Sequence, residues 1–463
     1  MPGISHPRNI PQEIKDFFAA GEGQTLLIKG LPGTGKTTLA FEILKTLCHR
    51  QNGLYISTRV DPNQLYRAYP WITDIIPPKN VINATQAKLM RSLQGLTGGI
   101  ATSYESVLDF FRIFFDEAED MDNPMIVIDS WDAIMNYTAP IIGGSQQSFE
   151  QNICEFARDL GIHLIFVAET SNLTPMDYIV DGVVCMEQFH LAGGTDHQDS
   201  WSSGMRSRFA RAVRLDKLRG VEIGQRIYTA SLHGGRFQYF DPNREKSDAS
   251  LSADAPRIPD PGDDRISTGL PDLDQLCGGF QYASCNVLEI GHGVGKRYYH
   301  MLTTLASNAI KNGRGVCILP SIGFELSPRD IFVPSNVSFV QPQGDLSDWG
   351  QRLIQTWEDL RDRTGRPILN IIGMDAMEFA FGYPALLNFA SQMIRKWKET
   401  NDINLMVVKT GQESINMAVH AADTYFVVNE INGGLCLYGV IPRTEPHHII
   451  LAGQNQVRLT PII

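Results

Sequence analysis

The chain has 463 residues, of which 43% are hydrophobic and 20% are charged, and its formal net charge is −11. This length suggests two to three domains with the composition of a soluble globular protein, and no apolar run reaches the roughly 18–20 residues of a membrane helix. The acidic balance argues against a broad electropositive surface for sequence-blind nucleic-acid binding. The N-terminal stretch lacks the basic region and apolar run of a secretory signal, so we expect a cytoplasmic protein with no membrane contact.

The N-terminal half alternates short buried strands with helices. The predicted strands are Thr25–Lys29, Gly53–Thr58, Met125–Asp129 and Leu164–Ala168. The helix after the first strand places Leu39, Ile43 and Leu47 on one face, and Ser106–Phe115 is a second apolar helix. Continuous apolar strands separated by helices predict a mostly parallel α/β sheet with helices on both faces. After Arg211 the pattern changes to short strands that are typical of a meander.

The segment Asp241–Arg265 is rich in Pro, Asp and Ser and is typical of a linker. It predicts one domain at residues 1–240, a linker at 241–264 and a second domain at 265–463. The second half then repeats the pattern of the first. Its predicted strands are Cys285–Ile290, Gly315–Pro320, Ile368–Gly373 and Asn404–Lys409. This repetition predicts a tandem duplication of one α/β unit.

The stretch "GLPGTGKT" at residues 30–37 matches the phosphate-loop pattern G-x-x-x-x-G-K-[ST] in full. Its glycines let backbone N–H groups surround phosphate oxygens, Lys36 would reach the β- and γ-phosphates, and the Thr37 hydroxyl would ligate Mg²⁺. A strand before the loop and a helix after it disfavour a chance glycine turn, because that helix points its positive end at the anion. The predicted ATP-binding residues of the loop are Gly30, Gly33, Thr34, Gly35, Lys36, Thr37 and Thr38.

Asp129 ends the apolar strand "MIVID". A carboxylate at this place lies beside the phosphate loop and holds Mg²⁺ or its water. The alternative is a strand-end acid that caps the next turn. The complete loop earlier in the chain favours the metal role, so we predict Thr37 and Asp129 as the Mg²⁺ ligands.

The blocks "GLYISTRVDPNQL", "VIDSWDAI", "LGIHLIFVAE" and "LDKLRGVEIGQRIYT" resemble the KaiC-like branch of the RecA superfamily. The N-terminal "NIPQEIKDFFAAGEGQTLLIKGLPGTGKTTL" also resembles the opening of the archaeal GvpD-type regulators, the gas-vesicle repressors. The likeness covers nearly all of the first half. In the second half "RISTGLPDLDQLCGGF" resembles the start of a KaiC-type domain, and later blocks are weak. The resemblance implies two tandem RecA-like P-loop NTPase domains.

KaiC-like proteins bind ATP between neighbouring subunits of a ring, and a K-x-R-G block of one subunit reaches the phosphates of the next. The matching residues here are Lys217 and Arg219. The resemblance therefore implies self-association and a role for both cations in nucleotide binding, as with an arginine finger. The alternative is a solvated pair of positive charges at a strand end.

The second strand departs from this family. In KaiC-like proteins it commonly ends in two acids, and here Arg59 and Val60 stand in their place. A general base must lie within hydrogen-bond reach of its proton, and neither residue can serve. Nearby acids that could substitute are Asp61, Asp132 and Glu169, and the catalytic residues stay unknown. We expect ATP binding with slow or absent hydrolysis, with Arg59 either strengthening nucleotide retention or lying on the surface.

The loop of the second half is altered. Ile290 stands where the first glycine belongs, and Arg297 replaces the Mg²⁺-ligating Ser or Thr with a cation that would repel the metal. The matching strand ends in Gly373 where an acid is expected, and Asp375 follows two residues later. We predict a pseudo-ATPase domain that keeps the fold and loses Mg·ATP. The alternative is metal-free anion binding by Gly293, Gly295, Lys296 and Arg297.

Together these features predict an ATP-binding regulatory protein that acts as a nucleotide-dependent switch or assembly factor. The GvpD-type resemblance implies control of gene expression through a protein partner, such as a transcription regulator. The alternatives are an active recombinase-type ATPase that acts on DNA, an autokinase and a scaffold. The basic stretch Met205–Gly220 leaves nucleic-acid contact, an acidic partner or a subunit interface with solvated strand faces open, and the last is favoured. Sparse aromatic residues there argue against a base-stacking platform. The Gly/Ser-rich Leu191–Met205 is either a nucleotide-responsive loop or a surface loop.

Overall fold

The computed structural model describes residues 9–48, 52–85, 111, 115–116, 118, 121–142, 146–191, 208–241, 256–323, 336–452 and 456–463. They divide into two compact units. Described residues within Pro7–Phe189 and Ala210–Phe240 make up most of the first unit, and those within Asp241–Ile462 make up most of the second. The domain limits at 240 and 265 and the linker between them stay predictions.

The first unit is built on a nine-stranded sheet. In chain order its elements are α1 (Gln12–Ala19), β1 (Thr25–Gly30), α2 (Lys36–Leu47), β2 (Gly53–Ser57), α3 (Pro62–Ala68), β3 (Val81–Asn83), β4 (Met125–Asp129), α4 (Trp131–Ile142), α5 (Gln146–Asp159), β5 (His163–Ala168), α6 (Met176–Ile179), β6 (Gly182–His190), β7 (Phe209–Leu218), β8 (Ile227–Ser231) and β9 (Gln238–Tyr239). The strand order is β3-β2-β4-β5-β1-β6-β7-β8-β9. Pairing is parallel from β3 to β6 and antiparallel from β7 to β9.

Both faces of this sheet are covered by helices. All six residues of β1 are buried, and their side chains alternate between two cores. Ile28 packs in one core with Ile43 of α2, whereas Leu27 packs in the other with Phe149 of α5. A strand buried on both faces needs apolar residues at successive positions, which is why its sequence shows a continuous apolar run.

The second unit repeats this architecture. Its elements are β10 (Arg265–Ile266), α7 (Pro271–Cys277), β11 (Phe280–Gln281), β12 (Cys285–Ile290), α8 (Tyr299–Lys311), β13 (Val316–Leu319), β14 (Val337–Phe339), α9 (Leu346–Thr364), β15 (Leu369–Gly373), α10 (Met374–Phe381), α11 (Tyr383–Thr400), β16 (Ile403–Lys409), α12 (Ser414–Ala421), β17 (Thr424–Ile431), β18 (Gly434–Ile441), β19 (His447–Ala452) and β20 (Gln456–Pro461). Its large sheet has the order β14-β13-β15-β16-β12-β17-β18-β19-β20, which is the order of the first sheet strand for strand. The predicted α/β fold with two tandem P-loop NTPase domains is confirmed.

Three predictions fall largely outside the described residues. These are the helix Ser106–Phe115, of which Phe111 and Phe115 are described and buried, the segment Leu191–Met205, and the linker up to residue 255. The last residues of the predicted linker contact the second unit, where the backbone N–H of Ile258 donates to Asn308 Oδ1 (2.9 Å). Among the helices that the structure describes, none combines the length and the apolar character needed to cross a bilayer.

Candidate nucleotide-binding site

The first phosphate loop joins β1 to α2 at the carboxyl edge of the parallel strands, and two of its glycines are required by the backbone. Gly30 has φ 154°, and a Cβ there would lie 2.3 Å from the carbonyl oxygen of Met186. Gly35 has φ 103° and would bring a Cβ within 2.7 Å of Leu232 Cδ2. Both conformations are ones that L side chains rarely adopt. The loop is therefore held in the form that turns backbone N–H groups toward an anion at the start of α2.

Lys36, Thr37 and Thr38 form the first turn of α2. The Lys36 ammonium lies over the loop and donates to the carbonyl oxygen of Leu31 (2.8 Å), which also accepts from Thr34 Oγ1 (2.8 Å). Burial lowers the pKa of Lys36. A largely buried cation whose hydrogen bond goes to a neutral carbonyl fits a site that receives a phosphate, because an anion would offset the cost of burial.

Three negatively charged side chains and one positively charged side chain lie close enough to Lys36 to affect its pKa. The negative charges that raise its pKa against burial are, in decreasing order, Glu169, Asp129 and Asp132, whereas the Arg59 charge lowers it. The phosphate loop thus faces acidic groups from the end of β4, from the first turn of α4 and from the turn after β5. A divalent cation between these acids and the phosphates would reduce their repulsion.

Asp129 and Thr37 meet as the sequence predicted for a metal site. Asp129 Oδ2 accepts hydrogen bonds from Thr37 Oγ1 (2.5 Å) and from the Tyr55 hydroxyl (2.6 Å). Burial raises the pKa of Asp129, and these two hydrogen bonds together with Lys36 oppose that rise. A hydroxyl and a carboxylate in contact are the hard oxygen ligands that Mg²⁺ prefers, so the residues present fit a Mg²⁺ ion bound with a nucleotide.

Tyr55 is a site residue that the sequence did not reveal. Its ring stacks on Phe41 of α2 with 4.6 Å between centroids, and burial raises the pKa of its phenol well above the usual value. The phenol therefore stays protonated and donates to Asp129 at all ordinary pH values. A tyrosine in the middle of an apolar strand is normally interpreted as a residue of the hydrophobic core. Only the contact of its hydroxyl with Asp129 identifies it as part of the candidate site.

Arg211 is a second residue near the loop that the sequence did not assign to it. Its guanidinium, on β7, donates to the carbonyl oxygen of Gly33 (2.7 Å). Burial lowers its pKa, and its Nε is a buried donor without a partner among the described residues. Arg211 thus fixes the middle of the phosphate loop from the neighbouring strands.

The acids that could replace the missing catalytic pair are each engaged. Asp61 caps α3 by accepting from the backbone N–H of Asn63 (2.9 Å). Asp132 accepts from the backbone N–H of Glu169 (2.5 Å), and the Glu169 side chain forms an ion pair with Arg59. Each carboxylate that we considered as a base is therefore bound to a donor or a cation of its own chain.

Lys217 and Arg219 do not lie at this loop. Lys217 Nζ donates to the carbonyl oxygens of Asp177 (3.1 Å) and Val180 (2.5 Å). Arg219 pairs with Asp181 (2.5 Å), whose carboxylate also accepts from Thr25 Oγ1 (2.7 Å). Thr25 begins β1, whereas the phosphate loop follows the last residue of β1. The two cations therefore lie near the N-terminal end of this strand, roughly 17 Å from the loop along the strand. Their role toward the nucleotide of another subunit stays a prediction.

The loop of the second unit has a different structure. Its helix α8 begins at Tyr299, three residues after Lys296, whereas α2 begins at Lys36 itself. Arg297 donates to the carbonyl oxygen of Gly433 (2.7 Å) and forms an ion pair with Glu430. Glu430 of the same unit thus neutralises the Arg297 charge. Because α8 begins only at Tyr299, residues 296–298 do not form the helical turn that would present N–H groups to a phosphate.

The acid expected at the end of β15 is not available in the second unit. Asp375 pairs with Lys409 (2.5 Å) and accepts from the backbone N–H of Ile322 (3.0 Å). Beside the loop, a Cβ at Gly291 would lie 1.7 Å from Asn429 Oδ1, so an amide side chain lies against the loop backbone. These contacts agree with a domain that has kept the fold and lost the metal site.

Comparison with known proteins agrees with this geometry. Residues 14–196 match the family model of the GvpD gas vesicle protein, P-loop domain. The chain is 28% identical to Protein GvpD2 of Halobacterium salinarum, over 96% of this chain and 93% of that protein. It is also 28% identical to Protein GvpD1 of the same organism, over 96% of this chain and 95% of that protein. The predicted resemblance to GvpD-type P-loop proteins is confirmed by the family model for the first half and by both relatives over nearly the whole chain.

Proposed function

We propose that this protein is an ATP-dependent regulatory switch that binds Mg·ATP in its first domain and hydrolyses it slowly or not at all. Two features support the proposal. In the complete phosphate loop, Thr37 contacts Asp129. Arg59, which stands where KaiC-like proteins have an acid, pairs with Glu169. The first feature supports nucleotide and metal binding, and the second removes the group that would activate water.

The residues of the first loop divide the binding of Mg·ATP among them. The backbone N–H groups at the start of α2 and the Lys36 ammonium bind phosphate oxygens. Thr37 and Asp129 hold the metal, and Tyr55 orients the Asp129 carboxylate through its hydroxyl. Bound Mg²⁺ supplies positive charge that neutralises the phosphates.

The switch would act through a protein partner or through self-association. The GvpD family description names a gas vesicle protein, and we propose that this chain regulates gas-vesicle genes by docking a transcription regulator when nucleotide is bound. Self-association in a ring would require Lys217 to exchange its present carbonyl partners for a neighbour's phosphate. Arg219 is better placed, because its side chain is 61% exposed.

The two loop lysines give a matched test of this proposal. Fluorescent ATP is titrated into the full chain with Mg²⁺, and into the variants Lys36→Ala and Lys296→Ala. We expect Lys36→Ala to weaken binding at least roughly tenfold, because it removes a charge-assisted contact to phosphate, and we expect Lys296→Ala to leave affinity unchanged. An equal loss in both variants, or a loss confined to Lys296→Ala, would contradict the proposal.

A further inference from the structure

The ion pair between Arg59 and Glu169 lies at the edge of the sheet where the nucleotide site is. Arg59 follows β2, and Glu169 follows β5. These strands flank β4, which ends in Asp129. Strands two positions apart in a sheet lie roughly 10 Å from each other, so the two long side chains meet above the carboxyl end of β4, next to the predicted metal ligand.

This pair also borders the phosphate-binding lysine. The Glu169 carboxylate is the negative charge that acts most strongly on Lys36, ahead of Asp129, and Arg59 is the positive charge that acts on it. The backbone of Glu169 is fixed by its N–H bond to Asp132 (2.5 Å). The side chains of Arg59 and Glu169 are 44% and 29% exposed, so the pair can open without disturbing the core.

We propose that Arg59 and Glu169 together distinguish ATP from ADP, with Arg59 moving from Glu169 to the terminal phosphate when ATP binds. This inference rests on the proposed function. A guanidinium binds carboxylate and phosphate through the same two-pronged geometry, and the terminal phosphate carries the larger charge. Glu169 is then an internal competitor that holds Arg59 while the terminal phosphate is absent.

The two members of the pair have opposite effects under this proposal. Removing the competitor makes Arg59 available, so Glu169→Gln tightens ATP binding. Removing the guanidinium deletes the contact, so Arg59→Gln weakens ATP binding. Both changes affect ADP much less than ATP, because ADP lacks the γ-phosphate that Arg59 would contact. An ion pair with a purely structural role would give losses in the same direction for both variants and for both nucleotides.

The experiment is equilibrium titration of the full chain and each variant with Mg·ATP and, separately, with Mg·ADP at one ionic strength. We expect Glu169→Gln to tighten ATP binding several-fold and Arg59→Gln to weaken it roughly tenfold, with ADP affinity changed less than about twofold in both. Thermal melts of each variant verify that it is folded.

Glu187→Gln is the matched control. Glu187 pairs with Arg214 (2.8 Å) within the same sheet, and the exposed fractions of the two side chains are 34% and 36%. We expect no change in either affinity.

Two results would overturn the inference. If both variants shift ATP affinity in the same direction, or if ADP affinity shifts as much as ATP affinity, the pair is structural while the proposed function stands. If the unaltered chain binds neither nucleotide, the proposed function fails and the inference fails with it.

Discussion

At the scale of single residues, the Tyr55 hydroxyl contacts the predicted metal ligand Asp129. It donates to Asp129 Oδ2 (2.6 Å) while its ring stacks on Phe41. A hydrogen bond to a carboxylate favours the charged form. The Tyr55 hydrogen bond therefore opposes the effect of burial, which raises the Asp129 pKa.

Tyr55→Phe keeps the ring and deletes this donor. We expect the variant to bind Mg·ATP roughly tenfold more weakly, because a hydrogen bond to a charged group is lost. Binding of ATP in the presence of EDTA should not change, because the phosphate contacts of Lys36 and the loop stay intact. The measurement is ATP affinity with Mg²⁺ and with EDTA. A loss of the same size in EDTA would show that Tyr55 supports the loop instead of the metal.

Single-residue roles were only partly predictable from the sequence. The loop residues were predicted from a local pattern between a strand and a helix, and Asp129 was predicted from its place at the end of an apolar strand. The contacts of Tyr55 with Asp129 and of Arg211 with Gly33 join residues far apart in the chain. Such contacts depend on strand order and rotamer, which no local pattern encodes. The same reason explains why the ion pair of Arg59 was missed.

At the scale of elements, the ends of the apolar runs in the sequence predicted where the buried strands begin and end. The predicted strands Met125–Asp129 and Cys285–Ile290 match the structure, and the others differ by one residue at one end or, for Gly315–Pro320, at both ends. Apolar runs mark buried strands well because both faces of the sheet are covered. The start of α8 at Tyr299 was not predicted. The contacts of Arg297 with Glu430 and Gly433 beside it join residues far apart in the chain, and no local pattern reveals them.

The junction between β5 and β1 gives an element-scale prediction about pH. His163 begins β5, its Nδ1 accepts from the backbone N–H of Gln24 (3.1 Å), and burial lowers its pKa to about 4. Between pH 6.5 and 4 the unfolded chain binds a proton that the folded chain does not. The stabilising effect of neutral His163 is therefore complete above the unfolded pKa and is lost as the pH falls toward 4.

We expect acidification from pH 7 to pH 5 to reduce the free energy of unfolding by about 2 kcal/mol through this residue. His163→Asn keeps an acceptor and removes the titrating ring. The measurement is urea denaturation at both pH values, in which the variant should lose about 2 kcal/mol less than the unaltered chain. An equal loss in both proteins would show that His163 does not carry this pH dependence.

At the scale of the whole molecule, two sheets share one strand order and differ in their loops. The first unit keeps a phosphate loop whose helix begins at Lys36, and the second has an internal ion pair at Arg297. The duplicated fold was predictable because repeated apolar runs and two loops are visible along the chain. What the second unit binds is not encoded in such patterns, since a fold alone does not establish a function.

The central claim is that one site per chain binds and retains ATP. One calorimetric titration of the full chain with Mg·ATP, with phosphate release followed on the same sample, tests it most directly. We expect one equivalent of ATP per chain, sub-micromolar to micromolar affinity, corresponding to a binding free energy of roughly 8 kcal/mol or more, and almost no phosphate release. Two equivalents per chain would contradict the silent second loop. Brisk phosphate release would contradict the role assigned to Arg59 and Val60 and would favour an active ATPase.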